Sequence, residues 1–163
     1  MNKNVILVLP YPVSANVYWR TRVVPAAPGR PAMAMTYVSP EAKDYQKRVL
    51  AAARAAGVVA PMEGRIQIDV RLFPNRPQDW QTRQRKLGAT WDDGVRCIDL
   101  DNANKVLLDS LKGVVFVDDN WQVRRLIAER MEPDEHGARV VVRVLALEVE
   151  QAQLSLVTEE ATA

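Results

Sequence analysis

The chain has 163 residues, 48% of them hydrophobic and 26% charged, which is enough for one core of ordinary size and too little for two full domains. Its only cysteine, Cys97, excludes an intrachain disulfide, and with the only histidine, His136, it excludes an intrachain Cys/His zinc cluster; any metal site must use oxygen ligands, which suit hard ions such as Mg2+ or Mn2+. The net charge is +2, no apolar run approaches bilayer length, and the amino terminus lacks a basic region followed by a long apolar stretch, so a cytoplasmic protein with no membrane partner is expected.

Asn4 to Leu9 reads as a short buried strand, ended by Pro10-Tyr11-Pro12, after which an irregular loop is expected to about Thr36. Ser39-Pro40 supplies an N-cap and an N1 proline, and Tyr45, Val49, Ala52 and Ala56 mark one face of a helix that stops at Gly57. Arg65 to Phe73 alternates, with Ile66, Ile68, Val70 and Leu72 on one face, as a half-buried strand requires. A long polar loop follows from Pro74 to about Arg96.

Asp101 or Asn102 can cap a second helix that runs to Lys112 and ends at Gly113. Trp121 to Met131 and Arg139 to Val149 are two β-rich runs, expected to form a hairpin around the turn Asp134-Glu135-His136-Gly137. Residues 151–163 carry no cap or turn signals and are expected to be a flexible tail behind a single domain over 1–150. The order β-α-β-α-β-β predicts an α+β two-layer sandwich, a mixed sheet of about four strands with both helices on one face.

Charge is unevenly spread. Residues 1–72 carry ten Lys/Arg against four Asp/Glu, whereas Asp99 to Asp119 holds five aspartates against Lys105 and Lys112. An acidic centre within a basic chain suits a polyanion held at a metal site. If Asp99 and Asp101 are extended, their side chains share a face, and two carboxylates held together tolerate each other when a divalent cation lies between them. A helix of this length climbs roughly 16 Å, and Val114 to Asp119 can return roughly 20 Å, so Asp119 can reach the same end. Lys105 follows Asp101 by one helical turn. Three acids and a lysine suffice for phosphodiester hydrolysis: the metal activates water and stabilises the leaving oxygen, and the ammonium offsets charge on the phosphoryl oxygens.

The run DLDNANKVLLDSLKGVVFVDDNWQV resembles the signature of RusA-type Holliday junction resolvases: DLDN, a lysine, a helical aspartate, then a DD pair before a polar residue, Gln and Val. LPYPVSANVYWR and TYVSPEAKDYQKRV are similar to the family's opening strand, its Ser-x-Asn and aromatic-Arg segment, and its first helix, so the likeness covers most of residues 4–150. The resemblance implies a homodimeric, Mg2+-dependent endonuclease that resolves four-way DNA junctions by paired nicks. It assigns Asp99, Asp101 and Asp119 as catalytic metal ligands and Lys105 as the essential lysine. Beside them, Asp118 reads as a support for the ligands or a turn residue, and Asn102 as a support or a helix cap. Ala103 replaces the family's usual leucine, and Arg96 is the only basic residue left in the run before DLDN. The alternative function is a branched-DNA-binding protein that does not cut.

Two surfaces are candidates for DNA contact. One is Asn16, Tyr18, Trp19, Arg20 and Arg22 with Tyr11; the other is Arg76, Arg83, Arg85, Lys86 and Arg96, interspersed with Trp80 and Trp91. The aromatics of either could instead fold back on the core. Asp109 reads as a surface partner of Lys105 or Lys112, Asp92-Asp93-Gly94 as a turn, and Cys97 as a packing residue. No Gly-rich phosphate loop accompanies the DxD pair, so no organic cofactor is expected and a metal-dependent transferase is the weaker reading.

Overall fold

Val5, Leu7 and Leu9 are buried while Ile6 and Val8 between them are exposed, and this period of two makes strand β1, Asn4–Pro10, a half-covered strand. The computed structural model describes residues 4–149. After β1 come a single helical turn α1 (Ala15–Tyr18), strands β2 (Trp19–Val24) and β3 (Met33–Val38), helix α2 (Pro40–Ala55) and strand β4 (Ile66–Phe73). Helix α3 (Trp80–Leu87), helix α4 (Leu100–Leu111), a short helix α5 (Asp119–Gln122) and strands β5 (Val123–Arg130) and β6 (Arg139–Ala146) complete the chain.

The fold is α+β, with a four-stranded mixed sheet in the order β1-β6-β4-β5. Register puts Val5, Leu7 and Leu9 beside Val144, Val142 and Val140, and these beside Ile68, Val70 and Leu72. All are buried in one cluster with Tyr45 and Val49 of α2 and Val106, Leu107 and Leu111 of α4, so the two long helices cover one face of the sheet. The N-cap of α2 is as expected: Ser39 Oγ accepts from the Ala42 amide at 3.1 Å, and Pro40 needs no such partner. Helix α4 ends where Gly113 takes φ 73°, a left-handed conformation that a side chain would strain, and its amide donates to Phe116 O at 2.7 Å.

Three expectations are corrected. β5 and β6 are not a hairpin: β4 lies between them, parallel to β5 and antiparallel to β6. Both strands have the composition of a hairpin, but residues 131–138 carry the chain over the end of β4 instead. The stretch up to Thr36 is not irregular, because β2 and β3 pair antiparallel as a separate ribbon. Its strands are almost wholly exposed, so no alternation of burial wrote them into the sequence. The segment from Pro74 contains α3 and a 3-10 turn at Gly88–Thr90, with Trp91 buried beneath. The tail expected over 151–163 lies outside the described residues.

The crossover from β5 to β6 is clipped by charge. Asp134 accepts from Arg139 Nη1 at 2.6 Å and Nη2 at 2.7 Å, and Arg139 lies 4.0 Å over the Phe73 ring. The guanidinium holds the Asp134 carboxyl down to about 2, with the His136 amide assisting. A depressed carboxyl contributes stability above its unfolded pKa of about 4 and loses it as pH falls toward about 2. The side chains are 27% and 17% exposed, so the gain is modest. Asp134→Asn should cost about 1 kcal/mol in urea unfolding at neutral pH and almost nothing near pH 2; an equal cost at both would mean that the pairing adds no pH-dependent stability.

Candidate active site

Helix α4 divides cleanly. Ala103, Val106, Leu107, Ser110 and Leu111 are buried, while Asp101, Lys105, Asp109 and Lys112 repeat at helical spacing along the outward stripe. Asp99 sits at the N-cap, extended at φ −62° and ψ 141°, yet its carboxylate takes no helix amide. Asn102 Nδ2 lies 3.5 Å from Asp99 Oδ2 and is the donor closest to capping that group. Asp101 is already in the first helical turn, so Asp99 and Asp101 do not share a strand face, and the cap position falls at Asp99 rather than at Asp101 or Asn102.

The second acidic pair stands beside the other half of the helix. Lys112 Nζ lies 3.2 Å from Asp118 Oδ2 and 3.1 Å from Asp119 Oδ1. Asp119 and then Asp118 raise the Lys112 ammonium above its ordinary value. The Asn120 amide, then Lys112, hold the Asp118 carboxyl low. Burial, and next the charge of Asp119, push the Asp109 carboxyl up, against the pull of Lys105 and Lys112. Lys105 and Lys112 are the cations expected beside Asp109 from helical spacing, and Asp119 adds an opposing charge.

Gln122 fixes the segment that carries these acids. It is fully buried. Its Oε1 accepts from the amides of Val117 and Asp118 at 2.6 and 2.7 Å, and its Nε2 donates to Met62 O and Gly64 O at 2.8 and 3.0 Å. Tyr11 does the same for the approach to Asp99, its hydroxyl accepting from the Ile98 amide at 2.9 Å and donating to Cys97 Sγ at 3.4 Å. Burial, reinforced by the thiol beside it, pushes the Tyr11 phenol up to about 12, so it stays neutral and can play both parts. Sequence reading passed over both roles. The available signal for Gln122 was its place in the quoted run, just after the DD pair and before the β-rich segment.

Among the described residues, no three Asp, Glu, His or Cys side chains gather closely enough to hold a metal ion. The all-oxygen donor chemistry suits a hard divalent cation, but Asp99 lies at the start of a helix roughly 18 Å long and Asp119 pairs with the lysine at its end. The structure thus brings Asp118 and Asp119 to Lys112, and Asp99 to Asn102, without joining the two groups. Lys105 lies between them on the exposed stripe.

Of the residues considered for DNA contact, Tyr18 is removed by burial, its hydroxyl accepting from Gln46. Asn16, Trp19, Arg20 and Arg22 are exposed, with Arg20 held 2.7 Å from Glu41. Arg76 lies 4.6 Å over the Trp80 ring, and Arg83 pairs with Asp79 at 2.9 Å. Arg85, Lys86 and Arg96 face solvent. Trp91 folds inward and donates to Glu132 at 2.7 Å, and Arg130 ties down the same segment through Asp92 O and Val95 O. A family model described as Endodeoxyribonuclease RusA matches residues 10–145. No curated protein matches the chain.

Proposed function

The chain belongs to the endodeoxyribonuclease RusA family, and from that membership we propose that it resolves four-way DNA junctions as a homodimer, by paired hydrolysis of symmetry-related phosphodiesters with Mg2+ or Mn2+. The observation that carries the site assignment is the outward stripe of α4, where Asp101 and Lys105 lie between Asp99 and the Asp118-Asp119 pair. A divalent cation bound by Asp99, Asp101 and Asp119 would supply an activated water and stabilise the leaving oxygen. Lys105 is placed to offset charge developing on the phosphoryl oxygens. Gln122 and Tyr11 hold the two acidic segments in position through their backbone amides.

One chain does not gather the three carboxylates, so this reading requires that Asp119 leave Lys112 or that a second copy complete the set. The first is inexpensive, because both ion pairs of Lys112 are open to solvent, where water and salt screen them and replace the partner at little cost. The separation of the acids also favours a second reading, a protein that binds branched DNA without cutting it.

Four-way, flap and linear duplex substrates, incubated side by side with Mg2+, Mn2+ or a chelator, separate the two. Resolution predicts symmetric nicks in the four-way substrate with either metal, none with the chelator, and a largely intact duplex. Tight binding to the junction with no nick under any condition would establish the non-cutting reading instead.

A further inference from the structure

Among the described residues, nothing covers the β2–β3 ribbon. Both strands are exposed along almost their whole length, and a lone two-stranded hairpin is only marginally stable in water. It is nevertheless built to be stiff. Tyr18, buried at its base, accepts through its carbonyl from the Ser39 amide at 2.9 Å. At its tip, Ala27 and Arg30 exchange backbone hydrogen bonds of 3.0 and 2.8 Å, Gly29 supplies φ 78°, and Pro25, Pro28 and Pro31 restrict the connecting loop.

Its charge has one sign. Between Trp19 and Val38 there are three arginines and no acidic residue. Register puts Arg20, Arg22, Tyr37 and Met35 on one side of the ribbon, since Arg20 pairs with Tyr37 and Arg22 with Met35. Arg22 lies across that side, 5.9 Å over the Tyr37 ring and 3.7 Å from Met35 Sδ. Arg20 is engaged by Glu41, whereas Arg22 and Arg30 have no acidic partner among the described residues.

We propose that the β2–β3 ribbon is a DNA-gripping arm that lies in the major groove of a duplex arm next to the cut, with Arg22 and Arg30 as its anionic-ligand contacts. This rests on the nuclease reading and adds to it a mode of substrate engagement separate from the acidic stripe. A two-stranded ribbon fits a major groove about 12 Å wide, and a ribbon that carries arginines and no acidic residue is what a phosphate-lined groove selects. Met35 and Tyr37 give the same side an apolar surface for base edges, including thymine methyl groups.

The test compares the full chain with Arg22→Ala/Arg30→Ala, both on the exposed ribbon and outside the acidic site, on a labelled four-way junction in chelator. Affinity at low salt should fall by about tenfold or more, and the slope of log K against log salt should become shallower by up to about 1.8, at about 0.9 for each phosphate that an arginine no longer neutralises. Dimethyl sulfate should show guanine N7 protection by the wild-type chain in the arm beside the crossover, absent with the variant. Unchanged affinity, slope and N7 protection would overturn the arm while leaving the nuclease reading intact. Protection of adenine N3 alone would put the ribbon in the minor groove and overturn the proposal. So would loss of a solution dimer in the variant by light scattering, since the ribbon would then serve a second copy. A wild-type chain that binds neither junction nor duplex would overturn both readings together.

Discussion

Asp101→Asn should reduce junction cleavage by about three orders of magnitude, equivalent to about 4 kcal/mol of barrier, while junction binding persists. The substitution keeps the shape of the side chain and removes one negative ligand. Asp101 is exposed, lies in the first turn of α4 and has no partner among the described residues, so the fold loses at most about 0.3–1 kcal/mol of helix-dipole interaction. Single-turnover cleavage, gel shift and thermal melting on one preparation separate chemistry from folding. Cutting at the wild-type rate would remove Asp101 from the catalytic group.

Gln122→Ala should be the most damaging polar substitution in the protein, destabilising it by about 4 kcal/mol and lowering its melting temperature by about 10 °C. The side chain satisfies two buried amides and two buried carbonyls at once, and the truncated residue satisfies none. Removing a partner costs more than the bond was worth, because the groups left behind are desolvated. Gln122→Glu distinguishes hydrogen bonding from packing: it keeps an acceptor for Val117 and Asp118 but turns negative oxygen toward the carbonyls of Met62 and Gly64. We expect it to be as harmful as Ala. A loss below about 1 kcal/mol for both, in urea unfolding, would mean that water replaces the side chain.

What the sequence disclosed follows burial. The alternation from Ile66 to Leu72 and the Ser39-Pro40 cap marked β4 and α2 closely, because one face of each is against the core and the pattern records it. Strands β2 and β3 left no such record, since both of their faces meet solvent. Helix α3 has no buried residue, and its polar composition read as loop for the same reason. Strands β5 and β6 were recognised, but their pairing was not, because composition does not say whether a connection turns back or passes over a neighbour. At the acidic stripe, the residue types and helical spacing were visible in the chain; the pairing of Asp118 and Asp119 with Lys112 and the clamp at Gln122 depend on tertiary contacts.

The sheet order places β6 between β1 and β4, although it comes after both in the chain. During synthesis, β1 and β4 therefore leave the ribosome with unfilled edges and wait for the strand that joins them. A nascent chain halted before Arg139 would present two unpaired borders to other polypeptides, so the protein should be most prone to aggregate before release and should depend on chaperones at that stage. It also means that a product ending short of this strand leaves unfinished the sheet against which α4 packs.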